Sequence, residues 1–203
     1  MAPDSAKRTA AVVLAAGEAS RFGGTKLLMP FGRATIIGCV ISALEHAGVA
    51  PIVVVSAPGS DDLAHSLAGR AVWTAVNPNP SRGMLSSIQV GLAALPAGIT
   101  RFLIALGDQP RVQAQDIFHL IDEQSTTGKG IAIPTHAGKR GHPVLFDAHY
   151  RAEIMALSET QTLHEVVRTH ANDIAEVAFP SDAFIRDIDT REQYEDELRR
   201  AQH

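Results

Sequence analysis

The sequence has little cysteine and no long apolar run. Cys39 is the one cysteine among 203 residues, so no disulfide can form within the chain, and a reducing compartment is expected. No stretch approaches the ~20 consecutive apolar residues of a transmembrane helix. The short polar N-terminus also lacks the apolar core of a signal peptide. These absences predict a cytoplasmic protein with no membrane partner.

An excess of basic charge is also lacking. The formal net charge is −4, and neither a basic stripe nor a basic tail is present. Proteins that bind nucleic acid neutralise its phosphates with clustered lysine and arginine. We therefore expect no nucleic-acid partner, and any binding of phosphate must be local.

Several sequence patterns of enzymes are missing. The chain has no G-x-x-x-x-G-K-[ST] segment, and no G-x-G-x-x-G opens a helix after the first predicted strand. The second absence argues against a dinucleotide-dependent oxidoreductase. No Ser-His-Asp or Cys-His arrangement stands out either.

Short apolar runs alternate with helical patterns through residue 124. This alternation predicts an α/β fold, a three-layer α/β/α sandwich with a mainly parallel, Rossmann-like sheet. We predict one domain over residues 1–203, with a small antiparallel element, a hairpin, formed by residues 130–134 and 143–146. The predicted strands cover residues 9–15, 51–56, 71–76, 101–106, 130–134, 143–146, 174–179 and 184–188, and the predicted helices cover 34–47, 61–67, 85–95, 112–124, 149–157, 163–169 and 191–200.

The polar loop that follows the first predicted strand, residues 17–26, has the composition of a phosphate-binding segment. Small residues at Ala15, Ala16 and Gly17 let the backbone approach a ligand closely, and backbone N–H groups in such a loop can hold phosphate oxygens. Arg21 and Lys26 add two cations. On these residues alone, an ordinary loop with two surface cations remains the alternative.

Acidic residues end two further apolar segments. Asp108 follows the strand predicted at 101–106, at the sheet edge where ligands of such folds bind. Asp187 lies near the end of the strand predicted at 184–188 and Asp189 directly follows it, where alternation would put both on one side. One or two carboxylates are what Mg²⁺ usually takes from a protein. The alternatives are that Asp108 caps the next helix and that Asp189 only favours the start of the last helix.

Several segments carry a resemblance to a known family. Leu14-Ala15-Ala16-Gly17, followed by Arg21, Gly23 and Lys26, resembles the LAAGxSxRxGxxK signature of the MobA-like nucleotidyltransferases, although Ala19 precedes the Ser20-Arg21 pair. Gly107-Asp108-Gln109-Pro110 is similar to the metal-binding GDxP motif of that family. Asp187-Ile188-Asp189-Thr190 resembles its IDTPED-like motif, with Arg191 in place of the usual proline.

The resemblance implies a role for each matching residue. Arg21, Lys26 and Asp108 are implied to be catalytic, with Asp108 and Asp189, preferred over Asp187, as metal ligands. His142 lies in Arg140-Gly141-His142-Pro143, which resembles the RGHPxxF motif of the molybdopterin cytidylyltransferase-like branch, although a structural role for it stays open. The implied nucleotide-binding residues are Leu14, Ala15, Ala16, Gly17, Arg21, Lys26, Gly83, Ser86 and Ser87, and the implied acceptor-binding residues are Gln109, Pro110 and His142.

The family also implies the fold type and the reaction. It implies a nucleotide-diphospho-sugar transferase type of fold, with an NTP-binding half at residues 9–110 and an acceptor-binding half at 111–203. The branch implies transfer of CMP from CTP to molybdopterin with release of pyrophosphate, with Mg²⁺ or Mn²⁺ as cofactor and a molybdenum hydroxylase as a candidate partner. The alternatives are a guanylyl, sugar-phosphate or alcohol-phosphate transferase of the same fold, and a non-catalytic chaperone of the molybdenum cofactor.

Overall fold

The structure is a computed structural model that describes residues 8–17 and 26–201. Four 3-10 helices in this part of the chain cover Lys26–Leu28, Pro80–Arg82, Ala171–Asp173 and Ala183–Ile185. The strands are β1 (Thr9–Ala15), β2 (Pro30–Phe31), β3 (Ala34–Thr35), β4 (Ile52–Ser56), β5 (Val72–Val76), β6 (Arg101–Leu106), β7 (Ile131–His136), β8 (Lys139–Arg140), β9 (Val144–Asp147) and β10 (Ile174–Ala178). The α-helices are α1 (Ile36–His46), α2 (Asp61–Ser66), α3 (Met84–Ala94), α4 (Ala114–Thr127), α5 (Tyr150–Ala156), α6 (Leu163–Thr169) and α7 (Arg191–Arg200).

The main sheet has the strand order β10-β7-β9-β6-β1-β4-β5, and β8 pairs with β7. The pairs β6–β1, β1–β4, β4–β5 and β10–β7 are parallel, whereas β9 runs antiparallel to both of its neighbours. Strands β2 and β3 form a separate antiparallel pair. The mainly parallel sheet with a small antiparallel element confirms the predicted fold class. The carboxyl ends of β6, β1, β4 and β5 meet at one edge, where ligands of such sheets bind.

The apolar side chains of β1 divide between two cores. Ala10 and Val12 belong to a core with Ile88 of α3, whereas Ala11 and Val13 belong to a second core with residues of α1 and α4. Because both faces of β1 are covered, its sequence is an unbroken apolar run rather than an alternating one. The three layers follow directly from this division.

Helix α1 shows how the local sequence fixes an element. Thr35 accepts a hydrogen bond from the backbone nitrogen of Gly38 at 3.1 Å and so caps the helix. Ile37, Ile41 and Leu44 recur at helical spacing and are buried against the sheet. Among residues 8–17 and 26–201, no helix is both long enough and apolar enough to cross a membrane.

The structure differs from the predicted topology in two details. The strand predicted at 184–188 is wrong: Ala183–Ile185 is a 3-10 helix, and residues 186–189 have no regular structure. The carbonyl of Phe184 accepts hydrogen bonds from the His142 backbone and the Gln109 side chain, so the apolar pattern there reflects burial rather than strand pairing. The predicted hairpin does exist as antiparallel pairing of β7 with β9, but the tight turn connects β7 to the short β8.

Replacing Gly91 with alanine is expected to destabilise the fold by about 1–3 kcal/mol, the usual cost of overpacking. Helix α3 lies so close to the sheet that a Cβ at Gly91 would come within 2.2 Å of Val12 and 2.8 Å of Val55. In an uncrowded helix the same change raises the free energy of unfolding by up to ~1 kcal/mol. The sign of the measured change therefore shows whether the site is crowded. Urea denaturation of the variant measures it, and equal or higher stability would contradict this packing.

Candidate functional site

A cavity of about 540 Å³ opens at the carboxyl edge of the parallel strands. The residues after β1, β4, β5 and β6 contribute to its wall, together with the irregular segment before α7. This is the location that the parallel topology favours for a ligand. Its lining residues are Leu14, Ala15, Ala16, Gly17, Lys26, Leu27, Leu28, Gly59, Ser60, Asp62, Leu63, Pro80, Gly83, Met84, Ser87, Leu106, Asp108, Asp187 and Asp189.

Lys26 lies between two of the predicted acidic residues. Its Nζ donates to Asp108 Oδ2 at 2.7 Å and to Asp189 Oδ1 at 3.1 Å. Lys26 begins the 3-10 helix Lys26–Leu28 rather than lying in an open loop, and its side chain is only 13% exposed. The structure therefore brings together three side chains that the sequence separates by 82 and 163 positions.

The cluster has an excess of negative charge. Burial raises the pKa of Asp108, and the neighbouring Asp187 and Asp189 raise it further, while Lys26 opposes the shift. Burial lowers the pKa of Lys26, but Asp108 and Asp189 outweigh that effect and the pKa rises. Among the described residues, one ammonium thus faces three carboxylates, and both pKa values move in the direction that such an excess predicts.

The same donor set fits a divalent cation. Carboxylate oxygens are the ligands that Mg²⁺ and Mn²⁺ prefer, and substrate phosphates with water usually complete the shell. Carboxylate oxygens of Asp108 and Asp189 already converge on one cation, the Lys26 ammonium. Within residues 8–17 and 26–201, no three side chains of histidine, cysteine, aspartate or glutamate converge as a metal cluster.

The start of α3 forms another part of the wall. Gly83 precedes the helix with φ 89° and ψ −178°, a conformation that favours glycine. Ser86 and Ser87 are buried and accept hydrogen bonds from Asn77 Nδ2 at 2.8 and 2.9 Å. Ser87 lines the cavity, whereas Ser86 donates to the Gly83 carbonyl at 2.8 Å. Gly83 is the N-cap residue of α3, and neither serine caps the helix.

Sequence reasoning missed two contributors to this site. Asn77, 1% exposed, holds both serines, although in the sequence it looks like one of several turn formers. Gly59, Ser60 and Asp62, after β4, line the cavity as well. The motif residues lie after β1, β5 and β6, and the missing signal was that β4 ends at the same edge of the sheet.

The predicted acceptor-binding residues lie next to the cavity rather than on its wall. The buried Gln109 donates its Nε2 to the Phe184 carbonyl at 3.1 Å. The backbone nitrogen of His142 donates to the same carbonyl at 2.9 Å. Burial lowers the pKa of His142, and the opposing effect of Asp187 is smaller. Pro110 is buried, and none of these three residues belongs to the lining of the cavity.

The segment before Lys26 is described only in part. Leu14, Ala15, Ala16 and Gly17 line the cavity, as the sequence predicts for nucleotide-binding residues. Arg21, the second predicted phosphate ligand, lies outside the described residues. Its role stays a prediction.

Solved structures of similar fold share this architecture. Rv0371c from Mycobacterium tuberculosis H37Rv superposes with a TM-score of 0.84 and 25% sequence identity, covering 96% of this chain and 98% of that one. A nucleotidyl transferase from Methanothermobacter thermautotroptrophicus gives a TM-score of 0.80 at 21% identity, covering 96% and 99% of the two chains. At 21% identity the second likeness concerns the fold alone.

Sequence comparison gives the family. The molybdenum cofactor cytidylyltransferase of Escherichia coli (strain K12) is 32% identical over 137 residues, 66% of this chain and 67% of that protein. The bifunctional protein GlmU of Rhizorhabdus wittichii is 30% identical over 126 residues, 61% of this chain but only 28% of that protein. The model of the MobA-like NTP transferase domain matches residues 11–174. The chain therefore belongs to the MobA-like NTP transferase domain family, and its fold is that of the nucleotidyltransferases.

Proposed function

We propose that this protein transfers CMP from CTP to a phosphorylated small molecule, molybdopterin or the molybdenum cofactor, and releases pyrophosphate. One observation carries the proposal: a single cavity is lined both by the small-residue loop Leu14–Gly17 and by the Lys26–Asp108–Asp189 cluster. The small residues of the loop let a nucleotide approach the backbone, and the charged cluster can bind its phosphates together with a cation. The 32% identity to a molybdenum cofactor cytidylyltransferase supports the choice of substrates.

The transfer needs no protein nucleophile. An oxygen of the acceptor phosphate attacks the α-phosphorus of CTP, a new P–O bond forms, and the bond to the β-phosphate oxygen breaks as pyrophosphate leaves. The acceptor oxygen is already ionised at neutral pH, so no general base is required. The protein's part is to position the two substrates and to neutralise charge. Lys26, and Arg21 by the family resemblance, are assigned to the leaving pyrophosphate.

Asp108 and Asp189 are assigned to the cofactor, Mg²⁺ or Mn²⁺. When bound, a divalent cation supplies positive charge to the phosphate oxygens. Manganese is present in a second structure of Rv0371c, of TM-score 0.79 and 23% identity, which agrees with this assignment. Asp187 lines the same cavity and adds negative charge. The hydrogen bond from Lys26 goes to Asp189.

A pyrophosphate-release screen tests the proposed reaction. The purified protein is assayed with each of the four NTPs against molybdenum cofactor and against a panel of sugar and alcohol phosphates. Release that requires both CTP and molybdenum cofactor supports the proposal. Release with a sugar phosphate favours the alternative transferase, and no release with any pair, together with tight binding of molybdenum cofactor, favours the non-catalytic chaperone.

CTP is expected to be used more efficiently than GTP, and replacing Ala16 with glycine is expected to reduce this preference. Ala16 lines the cavity. By the family resemblance, the guanylyl-transferring branch usually carries glycine at this position. One methyl group in a pocket discriminates by ~1–3 kcal/mol, so the expected change in the CTP-to-GTP ratio of kcat/KM is roughly 10-fold or more.

Steady-state kinetics with molybdenum cofactor as acceptor measures both ratios. Equal or higher efficiency of the unmodified protein with GTP would contradict the cytidylyl assignment while leaving the nucleotidyltransferase assignment intact. An unchanged ratio in the Ala16→Gly variant would mean that other groups, such as the Ser87 hydroxyl on the same wall, select the base.

A further inference from the structure

A charged network lies beside the candidate metal site without lining the cavity. Three arginines and three acidic residues alternate in it, and each arginine contacts at least two of the acids. The network connects the segment after β6, the segment before α7, and α7 itself. Its members are Arg111, Asp182, Arg186, Asp196, Glu197 and Arg200.

Glu197 is the most buried acid of this network, with a side chain only 2% exposed. Each of its carboxylate oxygens accepts from a different arginine. Oε2 accepts from Arg111 Nε, and Oε1 accepts from Arg186 Nε at 2.7 Å. A carboxylate removed from water in this way needs both partners to compensate its charge.

The two arginines belong to the segments that carry the proposed metal ligands. Arg111 follows Asp108 by three positions, and Arg186 directly precedes Asp187. Through these arginines, the one carboxylate of Glu197 joins the strand end that carries Asp108 to the segment that carries Asp189. Without this carboxylate, Asp182 would be the one acid that both guanidinium groups still contact, and Arg186 lies 3.9 Å from it, so the connection between the two segments would be weaker.

The segment of Asp187 and Asp189 lies in no strand or helix, so contacts with other segments hold it. At its carboxyl end, the Asp189 nitrogen donates to Gln193 Oε1 of α7 at 2.7 Å. The Ile188 nitrogen donates to the Asp108 carbonyl at 3.3 Å, and the Ile188 side chain is buried with Phe31 and Tyr194. These contacts fix Ile188, and Arg186 fixes the other end of the same short stretch.

We propose that Glu197 is a positioning residue that sets the spacing between Asp108 and Asp189 by bridging Arg111 and Arg186. The inference rests on the proposed function, because it assumes that the two aspartates hold a divalent cation. Groups that orient metal ligands from outside the coordination shell typically change metal affinity by ~10–100-fold when they are removed.

Direct binding of Mn²⁺, followed by the EPR signal of the free ion, tests the proposal without turnover. Glu197→Gln, which removes the charge but keeps the shape, is expected to weaken Mn²⁺ binding by about tenfold. Arg186→Lys keeps the charge but cannot bond Glu197 and Asp196 as a fork, so it is expected to weaken binding in the same direction and carries the test if Glu197→Gln does not fold. Glu195→Gln, on the exposed face of α7, is the matched control and should bind Mn²⁺ like the unmodified protein.

Thermal melting of every variant separates positioning from stability. Mn²⁺ affinities of Glu197→Gln and Arg186→Lys within threefold of the unmodified protein, whatever the melting temperatures, would overturn the positioning role. Asp108→Asn serves as the reference for the metal site itself. If Asp108→Asn also binds Mn²⁺ normally, the proposed metal site is wrong. If Asp108→Asn binds Mn²⁺ weakly and Glu197→Gln binds it normally, only the inference about Glu197 is wrong.

Discussion

Replacing Asp108 with asparagine is expected to lower kcat by about 10²–10³-fold, the scale on which removal of a preorganised electrostatic group acts. The carboxylate lies at the end of β6, accepts from Lys26 at 2.7 Å, and is the most central acid of the cluster. Asparagine keeps the size of the side chain but loses the charge that a divalent cation requires. Steady-state rates at saturating CTP and Mg²⁺ measure the effect.

The same substitution is not expected to reduce stability. Because burial raises the pKa of Asp108 above its value in an unfolded chain, its ionised form costs the folded state free energy at neutral pH. A neutral asparagine avoids that cost, so the melting temperature should stay level or rise. Asp122→Asn, on the exposed surface of α4, is the control for loss of one negative charge. Turnover of Asp108→Asn within about threefold of the unmodified protein would remove Asp108 from the metal site.

The sequence predicts the core of the fold well and its irregular parts poorly. Strands β1 and β6 occur at the predicted residues because each is an apolar run buried on both faces and bounded by polar residues. The apolar run near Phe184 has the same appearance but another cause. Its backbone is held by the Gln109 side chain and the His142 nitrogen, contacts between positions far apart in the chain. Periodicity alone does not reveal such contacts.

In the candidate site, too, some residues could be predicted from the sequence and others could not. Lys26, Asp108 and Asp189 are each predicted from a local motif, and the fold brings them into contact. Asn77 carries no motif of its own, and its importance comes from two serines on α3 that only the tertiary structure places beside its amide. Glu197 looks like one charge of a solvated helix face, yet the arginines before Asp187 and after Asp108 cover it. Networks of this kind depend on chain geometry rather than on spacing.

Lys26→Met is expected to change turnover and metal affinity in opposite directions. Turnover should fall by about 10²–10³-fold, because one preorganised charge on the leaving pyrophosphate is lost. Binding of Mn²⁺ without nucleotide should become roughly tenfold tighter, because the ammonium that now lies within 3.1 Å of both Asp108 and Asp189 no longer competes for them. Removing one unit charge near ~4 Å is worth ~1–4 kcal/mol in partly hydrated surroundings, which covers a tenfold change.

The opposite signs follow from the charge of the cluster and distinguish a chemical role of Lys26 from a structural one. Methionine keeps the aliphatic stem of a side chain that is only 13% exposed, so packing changes little. Because Asp108 and Asp189 raise the pKa of Lys26, its ammonium stabilises the fold at neutral pH, and its loss should lower the melting temperature modestly. Lys26→Arg keeps the charge and is the matched control, in which Mn²⁺ binding should stay weak. A sharp fall in melting temperature would mean that the role of Lys26 is mainly structural. Weaker Mn²⁺ binding by Lys26→Met would mean that the ammonium does not occupy the position of the cation, and that the two aspartates hold the lysine rather than a metal.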